Sequence, residues 1–251
     1  MISVTVIGSG NVAQHLVDAF AASSDVGLTQ LYSRSLPSFT IPDGCSYISD
    51  PKDIRESDIF IIAVSDAAIA DVTAKITFHN SLVVHTSGSI SYTNIAGSDR
   101  RGVFYPLQTF SKAKPVDFRT VPICIETEQA SDLELLETLA AKISEHVYRI
   151  DELQRKALHV AAIFANNFSN HLFAQAAEIC QRHNVQFDIL KPLILETANK
   201  ATTLAPKDAQ TGPAARNDQN TIQSHLKLLE NTDQKKLYEL LTNSIQRHDK
   251  L

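Results

Sequence analysis

The chain has 251 residues, of which 43% are hydrophobic and 20% charged, and its formal net charge is −5. This length allows one or two domains with buried cores, and the composition is typical of a folded globular protein. A negative net charge is unlike the basic surface that nucleic-acid-binding proteins present to phosphates. We therefore expect no nucleic-acid partner.

The sequence also lacks the usual signs of a membrane segment, an export signal or a metal site. Its longest strongly apolar run, Ile59–Val64, is too short to span a bilayer, and no basic region precedes an apolar stretch near the first residue. The three cysteines, Cys45, Cys124 and Cys180, are odd in number, widely spaced and part of no metal pattern. We expect a cytoplasmic protein with no membrane partner and no bound metal.

Through residue 150, short β-rich segments alternate with helical patterns. This alternation, with strands that are continuously apolar, indicates a mostly parallel, doubly wound sheet covered by helices on both faces. The predicted strands are Ser3–Ile7, Leu28–Ser33, Ile59–Val64, Leu82–His85, Val103–Tyr105, Pro122–Ile125 and Val147–Ile150, and the predicted helices are Val12–Ala22, Ala67–Ile76 and Ser131–Ser144.

The β-rich segments stop after Ile150. Asp151–Asn184 is predicted to form one long helix, apolar on almost every side and therefore buried, and three further helices follow at Phe187–Leu204, Asp218–Leu229 and Asp233–Arg247. The sequence therefore predicts an α/β domain at residues 1–150 and an all-helical domain at residues 151–251.

A glycine-containing turn follows the first predicted strand. Residues 8–13 read G-x-G-x-x-A and open a helix with apolar residues at helical spacing. Gly8 permits the tight turn, Gly10 removes a Cβ that would block a pyrophosphate, and Ala13 lets helix and strand pack closely. The helix N-terminus offers N–H groups to the phosphates. A tight turn without a ligand is the alternative. The predicted dinucleotide-binding residues here are Gly8, Ser9, Gly10, Asn11 and Val12.

The end of the second strand indicates which dinucleotide is bound. NAD-dependent enzymes tend to place an acid there, but this chain reads Ser33-Arg34-Ser35. Arg34 can bind a 2′-phosphate through charge-assisted hydrogen bonds, with the two serines as further donors. NADP is therefore favoured over NAD, although a solvated surface arginine is the alternative. Val64 and Ser65, at the end of another strand, are expected to line the cofactor groove, and the following Asp66 is expected to cap a helix.

Polar residues follow the strand that ends at His85. The segment His85-Thr86-Ser87-Gly88-Ser89 offers donors to an anionic substrate group, and His85 could donate or accept a proton there. A cluster of turn and capping residues is the alternative. Tyr105, at the end of the next strand, could reach a ligand or simply pack in the core.

The long predicted helix carries a polar stripe. At roughly 100° per residue, six polar side chains fall within an arc about 140° wide. Because buried polar groups need partners, the stripe is predicted to line a cleft, with an internal hydrogen-bond network as the alternative. Thr211 and Arg216, near a helix-breaking Gly-Pro, could also reach an anionic substrate. The residues of the stripe are Lys156, His159, Asn166, Asn167, Asn170 and His171.

Several segments together resemble one known family along essentially the whole chain. They are VIGSGNVAQHL, LYSRS, HTSGS, FYPLQTF, the H-x-A-A-x-F-A-x-N-F stretch and AQTGPAARND. The family is that of bacterial Rossmann-like candidate NADP oxidoreductases with a C-terminal domain of unknown function. The layout is more distantly similar to pyrroline-5-carboxylate reductase, deazaflavin-dependent NADP reductases, and 3-hydroxyacid and 6-phosphogluconate dehydrogenases.

These resemblances imply an active site between two domains and a homodimer formed through the helical domain, which would be of the 6-phosphogluconate dehydrogenase C-terminal-like type. In the hydroxyacid dehydrogenases, a lysine on the long helix and an asparagine one turn later handle the substrate oxygen. Lys156 matches the lysine, but Val160 stands where the asparagine is expected, and His159 precedes it.

The combined prediction is an NADP-dependent oxidoreductase that transfers hydride to a small C=O or C=N substrate. Either Lys156 or His159 would be the general acid, with His85 also in the catalytic site. Thr86, Ser87, Asn167, Thr211 and Arg216 are the predicted substrate-binding residues. The alternatives are a redox sensor that binds NADP(H) without turnover and an S-adenosylmethionine methyltransferase, which can also use a glycine-rich first turn.

Overall fold

The computed structural model describes residues 1–112 and 114–248 of the chain. They divide into two compact units, Met1–Asn166 and Asn167 onward. This division comes later than the predicted domain boundary at residue 150. The reason is that the first turns of the following helix make side-chain contacts with the sheet, through Arg155 to Glu126 and through His159 to Tyr105.

The first unit contains one eight-stranded sheet. Its strands are β1 Ile2–Ile7, β2 Val26–Tyr32, β3 Ser46–Ile48, β4 Ile59–Ile62, β5 Leu82–His85, β6 Arg101–Pro106, β7 Ile123–Thr127 and β8 Val147–Arg149. The spatial order is β3-β2-β1-β4-β5-β6-β7-β8. Neighbouring strands are parallel except for β6 and β7, which are antiparallel. The predicted mostly parallel, doubly wound sheet is therefore confirmed.

Two features of the sheet were not predicted. The short strand β3 contains no continuous apolar run, and its three half-buried residues are held by pairing with β2, as in Tyr32↔Ile48. The reversal between β6 and β7 is equally invisible in a pattern of apolar residues, because the pattern does not encode strand direction. As a consequence, only β1 to β6 share one direction and one carboxyl edge.

The chain contains eight α-helices within the described residues. They are α1 Asn11–Ala21, α2 Ile69–Thr73, α3 Ala130–Ala141, α4 Glu152–Ala162, α5 Ser169–Arg182, α6 Lys191–Thr203, α7 Gln219–Leu228 and α8 Thr232–His248. A 3₁₀ turn, Asp66–Ala68, replaces the start of the predicted second helix. A π-helical turn, Ile163–Phe168, separates α4 from α5, so the long helix is not uniformly α-helical as predicted.

Helix α1 is fixed to the sheet by its apolar face. Leu16, Val17 and Phe20 are completely buried in the same core as Val4 and Val6 of β1. Each such side chain contributes roughly 1.5–3 kcal/mol when it is removed from water. This packing holds the first turn of α1 directly after the end of β1, where the glycine-containing turn connects them.

The second unit is helical, and α6 has no buried residue. Leu193 and Leu195 on this helix are 62% and 65% exposed. The long helix predicted over Asp151–Asn184 was expected to be buried. This prediction is wrong for the single chain, since Val160 of α4 is 55% exposed and Phe164 is 65% exposed. No described helix combines the length and the apolar character needed to cross a bilayer.

Candidate functional site

The turn after β1 is shaped by two glycines that act differently. Gly8 has φ +135°, and a Cβ there would lie 2.1 Å from the carbonyl oxygen of Ala63, so a side chain is excluded by the neighbouring strand. A Cβ on Gly10 would have no heavy atom within 4 Å. Gly8 is thus required by the fold, whereas Gly10 leaves open space beside the backbone.

Gly10 is also the N-cap of α1. No side chain caps this helix, and no acidic residue lies in its first turn. The first N–H groups of an α-helix lack intrahelical acceptors and carry a partial positive charge. The Asn11 side chain is engaged elsewhere, because its amide donates to the carbonyl of Phe110 at 3.0 Å. Open space and free N–H groups together form a place for a phosphate.

The loop after β2 presents positive charge near the same edge of the sheet. Ser33 is buried, and its hydroxyl donates to the carbonyl of Ser35 at 2.8 Å. Arg34 and Ser35 are exposed, and the loop contains no acid before Asp43. Among the ion pairs of the described residues, none involves Arg34.

A second cation, which was not predicted from the sequence, lies beside this loop. Lys112 lies in the segment after β6, and its ammonium donates to the hydroxyl of Ser38 at 3.1 Å. The same segment contacts α1, where the ring Nε2 of His15 lies 3.1 Å from the carbonyl oxygen of Ser111. The connection after β6 therefore links the loop after β2 to the first turns of α1. Only the fold brings these three regions together.

At the end of β4, Val64 is half-buried and Ser65 is exposed, as a groove lining requires. Ser65, not Asp66, is the N-cap of the 3₁₀ turn, and its side chain makes no capping bond. The expected capping role of Asp66 is therefore wrong. Its carboxylate instead accepts a hydrogen bond from the hydroxyl of Ser89 at 2.9 Å, which joins the ends of β4 and β5.

His85 organises the segment after β5 from within the core. This side chain is completely buried, and its Nδ1 accepts the N–H of Ser87 at 3.2 Å. Burial, reinforced by the nearby Arg155 guanidinium, lowers the pKa of His85 to about 4. The imidazole is therefore neutral at physiological pH and does not reach the surface. In this structure His85 shapes the loop, and the predicted proton-transfer role has no geometric support.

Ser87 is also committed to the loop. It is buried, and its hydroxyl accepts the N–H groups of Ser89 and Ile90, each at 3.1 Å. Thr86 remains partly exposed. Of the predicted substrate-binding hydroxyls in this segment, Thr86 is the one placed at the surface.

Tyr105 and His159 form a polar contact at this edge. The Tyr105 hydroxyl lies 3.0 Å from Nδ1 of His159, and the two rings meet edge to face with centroids 5.9 Å apart. Burial raises the pKa of Tyr105 to about 12. Gly88 lies against both rings, since a Cβ there would be 2.5 Å from Nδ1 of His159 and 2.8 Å from Cζ of Tyr105. Any side chain at position 88 would disturb this pair.

Arg155 anchors α4 to the sheet near this pair. It was not among the residues predicted from the sequence. It is completely buried, donates to the Ser87 carbonyl at 3.2 Å and forms an ion pair with Glu126 of β7 at 3.1 Å. Burial raises the pKa of Glu126 above its ordinary value, although Arg155 acts in the opposite direction. The one indication in the sequence that Arg155 belongs to this cluster was its position one turn before His159, on the same side of the helix.

Lys156, the other predicted general acid, is placed differently. Its ammonium pairs with Glu152 one turn earlier on α4, and the lysine side chain is 45% exposed. The remaining predicted substrate residues belong to the second unit: Asn167 lies in the π-helical turn, and Thr211 and Arg216 are exposed between α6 and α7. The predicted arc of polar residues assumed a regular α-helix, so its geometry does not hold beyond Ala162.

Comparison with known proteins places this geometry in context. A domain of unknown function, DUF2520, matches residues 121–245. The structure of a candidate NADP oxidoreductase from Bacteroides fragilis is 38% identical, with 98% of each chain covered and a TM-score of 0.87. A Thermotoga maritima protein is 18% identical over 98% of both chains, with a TM-score of 0.75.

A more distant structure shares the fold. It is a Plasmodium falciparum pyrroline carboxylate reductase with NADP bound, 12% identical over 99% of this chain and 98% of that one, with a TM-score of 0.64. Among proteins of curated function, none matches the chain.

Proposed function

Because the chain belongs to the same family as the candidate NADP oxidoreductase of Bacteroides fragilis, we propose that it is an NADP-dependent oxidoreductase. The substrate would be a small molecule with a C=O or C=N bond. The observation that carries this proposal is the open backbone at Gly10, which caps an otherwise uncapped α1.

The residues of the first unit fit the dinucleotide. The backbone from Gly8 to Val12 would hold the pyrophosphate, and Val64 and Ser65 would border the groove. Arg34 would bind the 2′-phosphate, which favours NADP over NAD because the loop contains no acid to bind a free 2′-hydroxyl. When bound, the reduced nicotinamide supplies the hydride.

A proton must reach the substrate oxygen or nitrogen as hydride reaches the carbon. His159 is favoured over Lys156 for this step, since His159 lies in the cluster with Tyr105 while Lys156 is paired with Glu152 at the surface. Asn167, Thr211 and Arg216 are the further residues proposed to bind the substrate.

The test is a titration of one sample with NADPH, NADH and S-adenosylmethionine, followed by an NADPH-oxidation screen of oxo acids, aldehydes and imino acids. We expect tight binding of NADPH alone and turnover of at least one compound class. His159→Gln is expected to lower kcat by roughly 10²–10⁴-fold, whereas Lys156→Met changes it little. NADPH binding without turnover would favour a redox sensor, and failure to bind any nucleotide would refute the proposal.

We also propose that two copies associate through the helical unit. The support is α6, which exposes Leu193 and Leu195 over a helix that buries no residue of its own. A helix of 13 residues is marginally stable without packing, so a partner surface is expected.

A cytoplasmic location is proposed separately and is supported by the three cysteines, which form no disulfide.

A further inference from the structure

The hydrogen bond between Tyr105 and His159 fixes which nitrogen of His159 carries a proton. A buried hydroxyl hydrogen needs an acceptor. Tyr105 is only 8% exposed, and among the hydrogen bonds of the described residues its hydroxyl has one partner, Nδ1 of His159. Burial also keeps the phenol protonated, since its pKa is raised to about 12. With no other acceptor for its hydroxyl among the described residues, Tyr105 is assigned as the donor and Nδ1 of His159 as the acceptor, which leaves Nδ1 unprotonated.

With Nδ1 occupied as an acceptor, the neutral ring carries its proton on Nε2. No hydrogen bond of the described residues uses this Nε2. Gly88 packs against the ring as well, since a Cβ there would lie 2.8 Å from His159 Cγ. The ring thus has one orientation and one tautomer, and it presents a hydrogen-bond donor.

We propose that Tyr105 is a positioning residue that makes His159 a donor through Nε2–H, and that the site therefore selects a carbonyl substrate over a protonated imine. This inference rests on the proposed oxidoreductase function and narrows its substrate class. A carbonyl oxygen has lone pairs that accept from Nε2–H. A protonated imine has an N–H and no lone pair on nitrogen, so two donors would face each other.

The proton balance of the reduction is compatible with this arrangement. Hydride adds to the carbonyl carbon, and the C=O π pair moves to the oxygen. That oxygen takes the Nε2 proton of His159 while the Tyr105 hydroxyl proton passes to Nδ1. A proton from water then reaches Nε2 as the Nδ1 proton returns to Tyr105, which restores the phenol and the Nε2–H tautomer, so the net change is one hydride and one proton added to the C=O bond.

The tautomer is measured directly in the full chain without nucleotide. Protein labelled with ¹⁵N-histidine is examined by long-range ¹H–¹⁵N correlation, and the His159 signals are assigned by their loss in His159→Gln. We expect an unprotonated Nδ1 and a protonated Nε2. Tyr105→Phe should abolish this fixed pattern, while Tyr148→Phe, on the 51%-exposed tyrosine of β8, should preserve it. A proton on Nδ1, or an unchanged pattern in Tyr105→Phe, would overturn the inference.

Substrate selection is tested with NADP⁺ present and two probes of equal ring size, cyclopentanone and protonated 1-pyrroline. The ketone should shift the Nε2 signal at a concentration at least tenfold lower than the imine does. An equal or stronger response to the imine, or no response to the ketone, would contradict the carbonyl assignment. Loss of all nucleotide binding would refute the proposed function but leave the tautomer result standing. A proton on Nδ1 in a chain that still oxidises NADPH would refute this inference alone.

Discussion

Replacing Arg155 with methionine should destabilise the first unit strongly, although methionine fills much of the same volume. The substitution leaves Glu126, whose side chain is 12% exposed, without its cation, and it removes the donor to the Ser87 carbonyl. Removing one partner of a buried ion pair costs about 3–5 kcal/mol. For a unit of this size, that corresponds to a fall in melting temperature of roughly 6–20 °C.

The assay is thermal unfolding followed by circular dichroism and calorimetry, with Arg119→Met as the matched control. Arg119 pairs with Glu145 at the surface, where the side chains are 71% and 59% exposed. Exposed pairs contribute about 0–1 kcal/mol, so this control should melt within a few degrees of the parent chain. Equal losses in the two variants would refute the argument from burial.

Two further measurements test whether the unpaired Glu126 is the cause. Adding Glu126→Gln to Arg155→Met should restore part of the stability, because no buried charge then remains. The pKa of Glu126 is already raised by burial, and loss of Arg155 should raise it further. A raised carboxyl pKa favours the folded state at low pH, so the deficit of Arg155→Met should be smaller near pH 5 than near pH 7.5. A deficit that is independent of pH would argue against this cause.

Three other predictions concern the nucleotide and the assembly. Gly8→Ala should prevent stable folding, since its Cβ would lie 2.1 Å from a backbone oxygen, and a Gly8→Ala variant that folds as well as the parent chain would contradict this steric argument. Gly10→Ala should leave the melting temperature nearly unchanged but weaken NADPH binding, measured by calorimetry, at least tenfold. Arg34→Ala should weaken NADPH by roughly 10–150-fold and NADH little, as expected for lost charge-assisted hydrogen bonds; equal losses would remove the 2′-phosphate assignment. The double variant Leu193→Glu/Leu195→Glu should have the mass of a monomer in light scattering. The control Leu36→Glu, at a 72%-exposed leucine of the first unit, should keep the mass of the parent chain. An unchanged mass in the double variant would refute association through α6.

The features that were predictable from the sequence are those encoded over short distances. The turn after β1 needs only a strand, two glycines and an amphipathic helix, and all of these lie within Ile2–Ala21. Most strands were found because a buried strand in a parallel sheet is continuously apolar. The three-residue β3 has no such run, and pairing with β2 stabilises it.

The candidate catalytic cluster was only partly predictable, because its contacts join distant parts of the chain. His159 was proposed from its position on the helix, but its hydrogen bond to Tyr105 crosses 54 residues of sequence. Arg155 reaches Ser87 across 68 residues, and its position one turn before His159 does not by itself distinguish it from a solvated arginine. His85 could not be recognised as a buried loop anchor until its neighbours were known.

The fastening of α4 by Arg155 has a consequence for the order in which activity returns during refolding. The proposed phosphate-binding turn is completed by its contacts with Ala63, Phe110 and Ser111, and none of these residues belongs to α4. The Tyr105–His159 pair, in contrast, exists only once α4 has docked on the sheet. A refolding chain should therefore recover affinity for the nucleotide before it recovers turnover. The delay between these two events would measure the time that α4 takes to dock.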